Sequence, residues 1–138
     1  MTERTLIIIK PDGIQRHLAG QITGRLEQKG FKLVAAKFLH ISEEKANQLY
    51  SVHKGKPFYD SLVKFMSSGP VIAAILEKDN AVEDYRDLIG ATDPGKAVEG
   101  TIRQLYGTSL QQNAVHGSDS DENAVTESDF FFSELERV

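Results

Sequence analysis

A short stretch near the carboxyl terminus contains the residue types best suited to phosphate chemistry. In Asn113–Ser120 (NAVHGSDS), an apolar run ends at a histidine, which is followed by a glycine and three small polar residues. These polar residues can cap a helix, so the His116 ring would lie beside free backbone N–H groups. Such a position suits a histidine that handles anions. A histidine that only satisfies a turn is the alternative.

The other histidines do not support a metal centre. His17, His40 and His53 are scattered, and none lies within metal-ligand spacing of His116. The chain has no cysteine, which excludes thiolate ligands, disulfides and cysteine nucleophiles. We therefore predict no metal site built from the protein's own side chains.

Three cationic residues are candidates for binding phosphate. Lys10 ends an apolar strand and precedes the turn sequence Pro11–Gly13, so it should emerge at an end of the sheet; a surface lysine is the alternative. Arg86 lies on an amphipathic helix, where most arginines are only solvated. Arg103 begins a short helix, where the helix dipole disfavours a cation unless an anion compensates.

A glycine-rich loop has the residue spacing of a phosphate-binding P-loop but lacks other features that the motif requires. Gly90–Ala97 has the glycine and lysine spacing of that motif, yet Ala97 stands where a Ser or Thr hydroxyl is needed for magnesium. The loop also follows a predicted helix rather than a strand. Pro94 would remove one backbone N–H donor. We reject it as a P-loop.

The hydrophobic pattern predicts the elements that must position these residues. The predicted strands are Thr5–Lys10, Phe31–Ile41, Val71–Glu77 and Asn113–His116. Helices are predicted for Ala19–Lys29, after Ser42, from Pro57 onward, around Tyr85 and for about Ser120–Phe132, with a loop at Gly90–Gly100. The order matches a ferredoxin-like α+β fold: a four-stranded antiparallel sheet with helices on one face and further helices inserted. A doubly wound parallel fold is the alternative.

Composition bounds the class of protein. The chain has 138 residues, 40% of them hydrophobic and 26% charged, and a formal net charge of -4, which predicts a single domain over residues 1–138. Its aliphatic runs are far shorter than the ~20 residues of a membrane span, and no signal peptide is evident. The acidity argues against bulk nucleic-acid binding. We expect a cytoplasmic protein without membrane or specific nucleic-acid partners.

Several segments together carry a family resemblance. They are Arg4–Gly13, Lys56–Phe58, Ser68–Pro70, Leu88–Pro94, Gly100–Arg103 and Asn113–Ser120. The chain resembles the nucleoside diphosphate kinases over essentially its whole length, and the last segment is the most specific. The resemblance implies a ferredoxin-like fold and ping-pong transfer of the terminal phosphate of ATP or another nucleoside triphosphate to a nucleoside diphosphate, through a phosphohistidine.

The resemblance also implies roles for individual residues. His116 matches the phosphorylated nucleophile, Glu127 the carboxylate that orients its imidazole, and Ser118 the hydroxyl beside it. The residues matched to the phosphates and the ribose hydroxyls are Lys10, which we also count as catalytic, Tyr50, Arg86, Thr92, Arg103 and Asn113. The residues matched to the clamp on the base are Phe58, Leu62 and Leu110. Considered alone, Phe58 could equally be a core residue.

Cofactor, specificity and assembly follow as expectations. Mg²⁺ would arrive on the nucleotide phosphates, and apolar stacking on Phe58 would discriminate little between bases. The family resemblance implies homo-oligomers, either tetramers or hexamers, built from a common dimer. Leu105 and Asp121 depart from the residues usual in the family, which affects local helix packing more than any assigned position.

A non-catalytic nucleotide-binding module with the same fold is the competing hypothesis. Such a module would keep the arginines and the stacking residue. It would not need His116, Glu127 and Ser118 together, so their joint presence favours the enzyme.

Overall fold

The computed structural model describes residues 2–138 and contains a four-stranded antiparallel sheet. Its strands are β1 (Thr2–Ile9), β2 (Lys32–Leu39), β3 (Val71–Asp79) and β4 (Val115–Gly117). They lie in the order β2-β3-β1-β4, and every neighbouring pair is antiparallel. This topology confirms the predicted ferredoxin-like fold and excludes the parallel alternative.

Strands β1 and β3 form the centre of the sheet and pair along their whole length. Thr2 lies opposite Asp79, and Ile9 lies opposite Ile72. Both strands extend beyond their predicted ends at Thr5 and Glu77, since each completes the hydrogen bonding of the other.

Residues 2–138 also form seven α-helices, six of them between strands and one after β4. They are α1 (Pro11–Gln15), α2 (Ala19–Gln28), α3 (Glu43–Leu49), α4 (Tyr59–Met66), α5 (Ala81–Ile89), α6 (Ile102–Tyr106) and α7 (Asp121–Phe131). Short 3₁₀ turns occupy Ser51–His53, Pro94–Lys96 and Glu134–Glu136. No helix in this part of the chain is both long enough and apolar enough to cross a membrane.

Helix caps explain where two of these helices begin. Ser42 Oγ accepts a hydrogen bond from the Lys45 N–H at 3.1 Å, and Ser120 Oγ accepts one from the Asn123 N–H at 3.1 Å. Both starts agree with the sequence pattern. The sequence predicts only a turn where α1 lies. Pro11 is the first residue of that helix, a position whose N–H would have no intrahelical partner in any case.

Helices cover both faces of the sheet, whereas the sequence predicts a helical layer on one face. Helices α2 and α5 pack with Ile7 and Ile9 in one apolar cluster. The inserted helices α3 and α4, together with α7, pack with Leu6 and Ile8 in a second cluster. These four residues are consecutive and fully buried. Because side chains alternate across a strand, such a run needs apolar cover on both sides.

The two departures from the family pattern lie on exposed helix surfaces. Leu105 on α6 is 45% exposed. Asp121 is the first residue of α7 and is also exposed. A carboxylate at a helix N-terminus is electrostatically favourable, so Asp121 fits its position.

Strand β4 is an edge strand held tightly against α5. It pairs with β1, so that His116 lies opposite Ile8. Tyr85 on α5 is fully buried, and its hydroxyl donates to the His116 carbonyl at 3.0 Å. A Cβ added at Gly117 would overlap the Tyr85 ring. The close approach of α5 to β4 therefore requires glycine at this position.

We predict that Gly117→Ala lowers the free energy of unfolding by about 1–3 kcal/mol, because the new methyl group must displace a buried ring. Urea unfolding measures the change. The control is Gly24→Ala in α2, where an added Cβ meets no atom within 4 Å. That variant should be more stable by up to about 1 kcal/mol. Equal stability of the Gly117→Ala protein and the parent would contradict this packing.

Candidate active site

A cavity of about 480 Å³ lies beside β4, a volume typical of small-molecule sites, which span about 300–1,000 Å³. The structure places all nine residues predicted to bind nucleotide around it. They are Lys10, Tyr50, Phe58, Leu62, Arg86, Thr92, Arg103, Leu110 and Asn113. His116 lines the same cavity. So do His53, Gln111, Gly117 and Asp119, to which the sequence analysis assigns no role.

His116, Glu127 and Ser118 form one hydrogen-bonded group. The Nε2 atom of His116 lies 2.8 Å from Oε1 of Glu127, and Ser118 Oγ donates to the same oxygen at 2.8 Å. The imidazole and the carboxylate are each 18% exposed. Burial raises the pKa of Glu127, but the hydrogen bonds from His116 and Ser118 outweigh it and leave the pKa below its usual value. The carboxylate is therefore ionised near neutral pH.

The His116 ring is also held by its aromatic neighbour. Tyr50 is buried and packs edge-on against the imidazole, with ring centroids 6.0 Å apart and an interplanar angle of 85°. Burial raises the pKa of the Tyr50 phenol, and the nearby Glu127 carboxylate raises it further. Tyr50 is thus a neutral wall beside the ring. With Glu127 at Nε2, Nδ1 has no hydrogen-bond partner among residues 2–138.

Lys10 is buried rather than extended along the surface, so the surface-lysine alternative is wrong. It is 7% exposed. Its Nζ donates to Asn113 Oδ1 at 2.8 Å and to the Gln111 carbonyl at 3.3 Å. Asn113 in turn donates from Nδ2 to the Thr92 carbonyl at 2.9 Å. Burial and the charge of Arg103 lower the pKa of Lys10 to about 8, although Asp12 opposes this shift.

Arg103 is buried and bonded to neutral oxygens. Its guanidinium donates to the Gly90 carbonyl at 3.1 Å and to the Val115 carbonyl at 2.9 Å. Near the start of α6 the helix dipole disfavours a cation, and these two hydrogen bonds, rather than an anion, hold the Arg103 guanidinium there. Burial lowers the pKa of Arg103, and the neighbouring Arg86 lowers it further. Arg86 is exposed and lines the cavity.

Asp12 is a structural residue of the site that the sequence analysis treats only as part of a turn. Its Oδ2 accepts a hydrogen bond from the Ala114 N–H at 3.0 Å, and the Ala114 carbonyl accepts one from the Lys10 N–H at 2.9 Å. Ala114 has φ of 76°, and the Val115 N–H donates to the Asn113 carbonyl across it. This tight γ-turn delays the start of β4 to Val115. Burial raises the pKa of Asp12 despite the opposing charge of Lys10.

Aromatic rings form one wall of the cavity. The centroid of the His53 ring lies 6.5 Å from that of Tyr50, with an interplanar angle of 23°, and 5.3 Å from that of Phe58. Phe58 is 46% exposed, so it is not a core residue. Its exposed part can contact a flat ligand, and Lys56 Nζ lies 5.9 Å from the ring centroid. The closeness of His53 to Phe58 along the chain is the one sequence signal that could have identified His53 as a residue of the cavity wall.

Comparisons with known proteins agree with this geometry. The family model for nucleoside diphosphate kinase matches residues 3–137. The chain belongs to the nucleoside diphosphate kinase family. The nucleoside diphosphate kinases of Persephonella marina and Chlorobaculum tepidum are 54% and 55% identical to it over 136 residues, which span 99% of this chain and 97% of each relative.

Solved structures of nucleoside diphosphate kinases have the same fold. The Aquifex aeolicus enzyme matches with a TM-score of 0.97 at 45% identity and covers 100% of both chains. The Halobacterium salinarum enzyme in complex with CDP matches with a TM-score of 0.96 at 46% identity, covering 100% of this chain and 92% of that one.

Family membership confirms the activity that the resemblance implies. The chain is a phosphotransferase that moves the terminal phosphate of a nucleoside triphosphate to a nucleoside diphosphate, by the ping-pong phosphohistidine route of its family. Nucleoside diphosphate kinases bind nucleotides and need a divalent cation.

We predict that Lys10 makes ADP binding depend on pH. Its pKa is about 8 in the free protein, and a bound polyphosphate would favour the charged ammonium. Above that pH, binding must take up a proton, so affinity falls. We expect the Kd for ADP to rise roughly 10- to 30-fold from about pH 7.5 to about pH 9.5, a range where the ADP phosphates stay almost fully ionised.

The control for this pH dependence is Lys10→Arg. Its guanidinium stays charged throughout the range, so its Kd should vary much less with pH. Calorimetric titration measures both proteins. A wild-type Kd that does not change with pH would contradict a lowered pKa at Lys10.

Proposed function

We propose that His116 is the residue that becomes phosphorylated, at Nδ1. One observation carries the proposal: Glu127 occupies Nε2 at 2.8 Å, while the same ring lines the cavity. A carboxylate at Nε2 favours the tautomer whose proton is on Nε2, which leaves the Nδ1 lone pair free to attack. Ser118 supports this arrangement by donating to the same Glu127 oxygen.

The transfer then proceeds in two steps, first from the donor to His116 and then from His116 to the acceptor. The Nδ1 lone pair forms a bond to the γ-phosphorus, and the bond from that phosphorus to the bridging β-oxygen breaks, releasing the nucleoside diphosphate. The imidazole gains positive charge, which the ionised Glu127 stabilises through Nε2–H. In the second step a terminal oxygen of the acceptor diphosphate attacks the phosphorus, and the P–N bond returns its electrons to His116.

Positive charge in the cavity suits this phosphoryl transfer. We assign Lys10, Arg86 and Arg103 to the phosphate oxygens, whose charge spreads as the phosphoryl group moves between donor and acceptor. Support comes from the hydrogen bonds of the two buried cations, which go to neutral oxygens and leave their charge available. Tyr50, Thr92 and Asn113 are proposed to surround the phosphates and the ribose.

We assign the required divalent cation, Mg²⁺, to the nucleotide rather than to a protein cage. Of the described residues that line the cavity, Asp119 alone carries a carboxylate, and residues 2–138 hold no cluster of three or more metal-ligating side chains. A hard cation takes oxygen ligands, and the polyphosphate supplies them. When bound, Mg²⁺ would neutralise phosphate charge. Asp119 is the carboxylate of the cavity lining that would be available to the bound cation.

The base is proposed to rest on an apolar clamp. Phe58 and Leu62 come from the α4 segment, Leu110 comes from the loop before β4, and all three line the cavity. Stacking tolerates every base, since each has a π-face, and strong rejection requires buried polar groups that would be left unpaired. The site would therefore accept adenine, guanine, cytosine and uracil nucleotides.

Assembly and location complete the proposal. We infer homo-oligomers built from a dimer, with tetramer and hexamer both open. Phe38 lies on the edge strand β2 and is 68% exposed, and Val138 is 82% exposed; apolar groups left in water at a sheet edge favour burial against a second copy. We also infer a cytoplasmic location, where the nucleotide pool is kept.

Labelling with γ-labelled ATP tests the role of His116. ATP alone should leave a phosphate on the chain that is labile in acid and stable in base, and GDP should remove it. His116→Ala should abolish labelling and lower turnover by about 10⁴-fold or more. Glu127→Gln should be labelled more slowly, because the ring loses its anionic partner.

The matched control is His40→Ala, which removes an exposed histidine whose ring contacts the Ser67 carbonyl. This variant should label as the parent does. Phosphorus NMR of the phosphoenzyme distinguishes Nδ1 from Nε2 attachment. A folded, active protein that carries no phosphohistidine, or one labelled at Nε2, would overturn the assignment.

Phe58→Ala tests the clamp. We expect it to weaken binding of ADP, GDP, CDP and UDP by similar amounts, about 1–3 kcal/mol each, because stacking does not depend on base identity. Calorimetric titration of the four nucleotides measures this. A loss confined to one base would show that Phe58 belongs to a base-selective pocket.

A further inference from the structure

The two sides of the proposed base clamp come from distant parts of the chain. Phe58 immediately precedes α4, and Leu62 is within it, whereas Leu110 belongs to the loop 107–112. Phe58 is 46% exposed and Leu110 is 62% exposed. Mutual burial of these apolar side chains therefore cannot fix the width of the clamp by itself.

A polar contact joins the two sides. Ser61 on α4 and Gln111 in the loop lie with Oγ and Oε1 3.0 Å apart. Each is adjacent in sequence to a clamp residue, Ser61 to Leu62 and Gln111 to Leu110. The contact between Ser61 and Gln111 therefore joins the two sides of the clamp directly beside the residues that form it.

Hydrogen bonds within the loop 107–112 link its two ends. The Gln112 carbonyl accepts hydrogen bonds from the Thr108 N–H at 2.8 Å and the Ser109 N–H at 3.3 Å. The Gln112 N–H donates to Ser109 Oγ at 3.0 Å. These bonds close the loop on itself, with Leu110 and Gln111 between the bonded residues, so a contact that holds Gln111 would also restrict Leu110.

The Ser61 hydroxyl lies within hydrogen-bond distance of both sides of the clamp. It can donate to Gln111 Oε1 at 3.0 Å or to the Phe58 carbonyl at 3.1 Å, and it has one proton to donate. The bond to Gln111 joins the loop to α4, whereas the bond to Phe58 stays within the α4 segment.

Gln111 also reaches the phosphate end of the cavity. Its carbonyl accepts a hydrogen bond from Lys10 Nζ at 3.3 Å. This bond uses the main chain, so it survives any substitution of the Gln111 side chain. Side-chain variants therefore separate the effect on the base end from the effect on Lys10.

We propose that Ser61 and Gln111 are positioning residues that latch the loop 107–112 to α4 and set the width of the base clamp. The proposal rests on the assignment of Phe58, Leu62 and Leu110 to the base. Without the latch, the nucleotide must itself bring the two sides together, and that ordering cost reduces its affinity. The phosphate end of the site is already held by the Lys10 and Asn113 network.

The test compares a ligand that has a base with one that has none. Calorimetric titration gives the Kd of ADP and of inorganic tripolyphosphate for Ser61→Ala, Gln111→Ala and the double variant. We expect each single variant to weaken ADP binding about threefold to tenfold, with less than a twofold change for tripolyphosphate. The double variant should be no weaker than the weaker single one, because one interaction has been removed twice.

Steady-state kinetics supply a second readout. In each latch variant the KM for ADP should rise with the Kd, whereas kcat should fall less than twofold, since the reacting atoms are untouched. Ser61→Thr keeps the hydroxyl and should restore ADP affinity. Gln112→Ala, which removes the neighbouring exposed amide side chain, should behave as the parent.

Specific results would overturn the latch. They are unchanged ADP affinity in both single variants, effects that multiply in the double variant, or equal losses for ADP and tripolyphosphate. Phe58→Ala in the same titrations separates the two proposals. If it leaves ADP affinity unchanged, the base site itself is misplaced; if it weakens ADP while the latch variants do not, only the latch fails.

Discussion

The backbone of Ala114, hydrogen-bonded through both its N–H and its carbonyl to residues that directly follow β1, is the constraint on which the site depends. Its N–H donates to the Asp12 carboxylate, and its carbonyl accepts from the Lys10 N–H. These bonds stabilise a backbone with φ of 76°, which a residue with a Cβ rarely adopts. One turn thereby places Asn113 beside Lys10 and starts β4 so that His116 lines the cavity.

The buried cations of the site, Lys10 and Arg103, are hydrogen-bonded to neutral groups. Lys10 donates to an amide oxygen and a carbonyl, and Arg103 donates to two carbonyls. A buried cation without any partner would be strongly destabilising. A carboxylate partner would cancel the charge that a polyphosphate needs. Neutral acceptors orient the cations and leave the charge in place, although burial and the charge of Arg103 lower the pKa of Lys10.

The proposed nucleophile, by contrast, is paired with a charged group. His116 is bonded to an ionised carboxylate, and Ser118 supports the same oxygen of Glu127. In the proposed mechanism a full negative charge is useful here, because the ring would become positive during attack and would lose that charge when the acceptor is phosphorylated. The protein thus has an anion beside the proposed nucleophile and cations around the cavity, an arrangement that matches the charge changes of phosphoryl transfer.

The sequence alone predicts the four strands and the caps at Ser42 and Ser120, because these are properties of local pattern. Through the family resemblance it also predicts most of the residues that line the cavity, though not His53, Gln111 or Asp119. The tertiary structure decided what depends on distant residues. Asp12 bonds to Ala114 across 102 positions, and Ser61 meets Gln111 across 50. The burial that lowers the Lys10 pKa, and the helices on both faces of the sheet, arise only when the chain folds. Such hydrogen bonds and burial join residues whose local sequences have no pattern in common, so no local pattern can predict them.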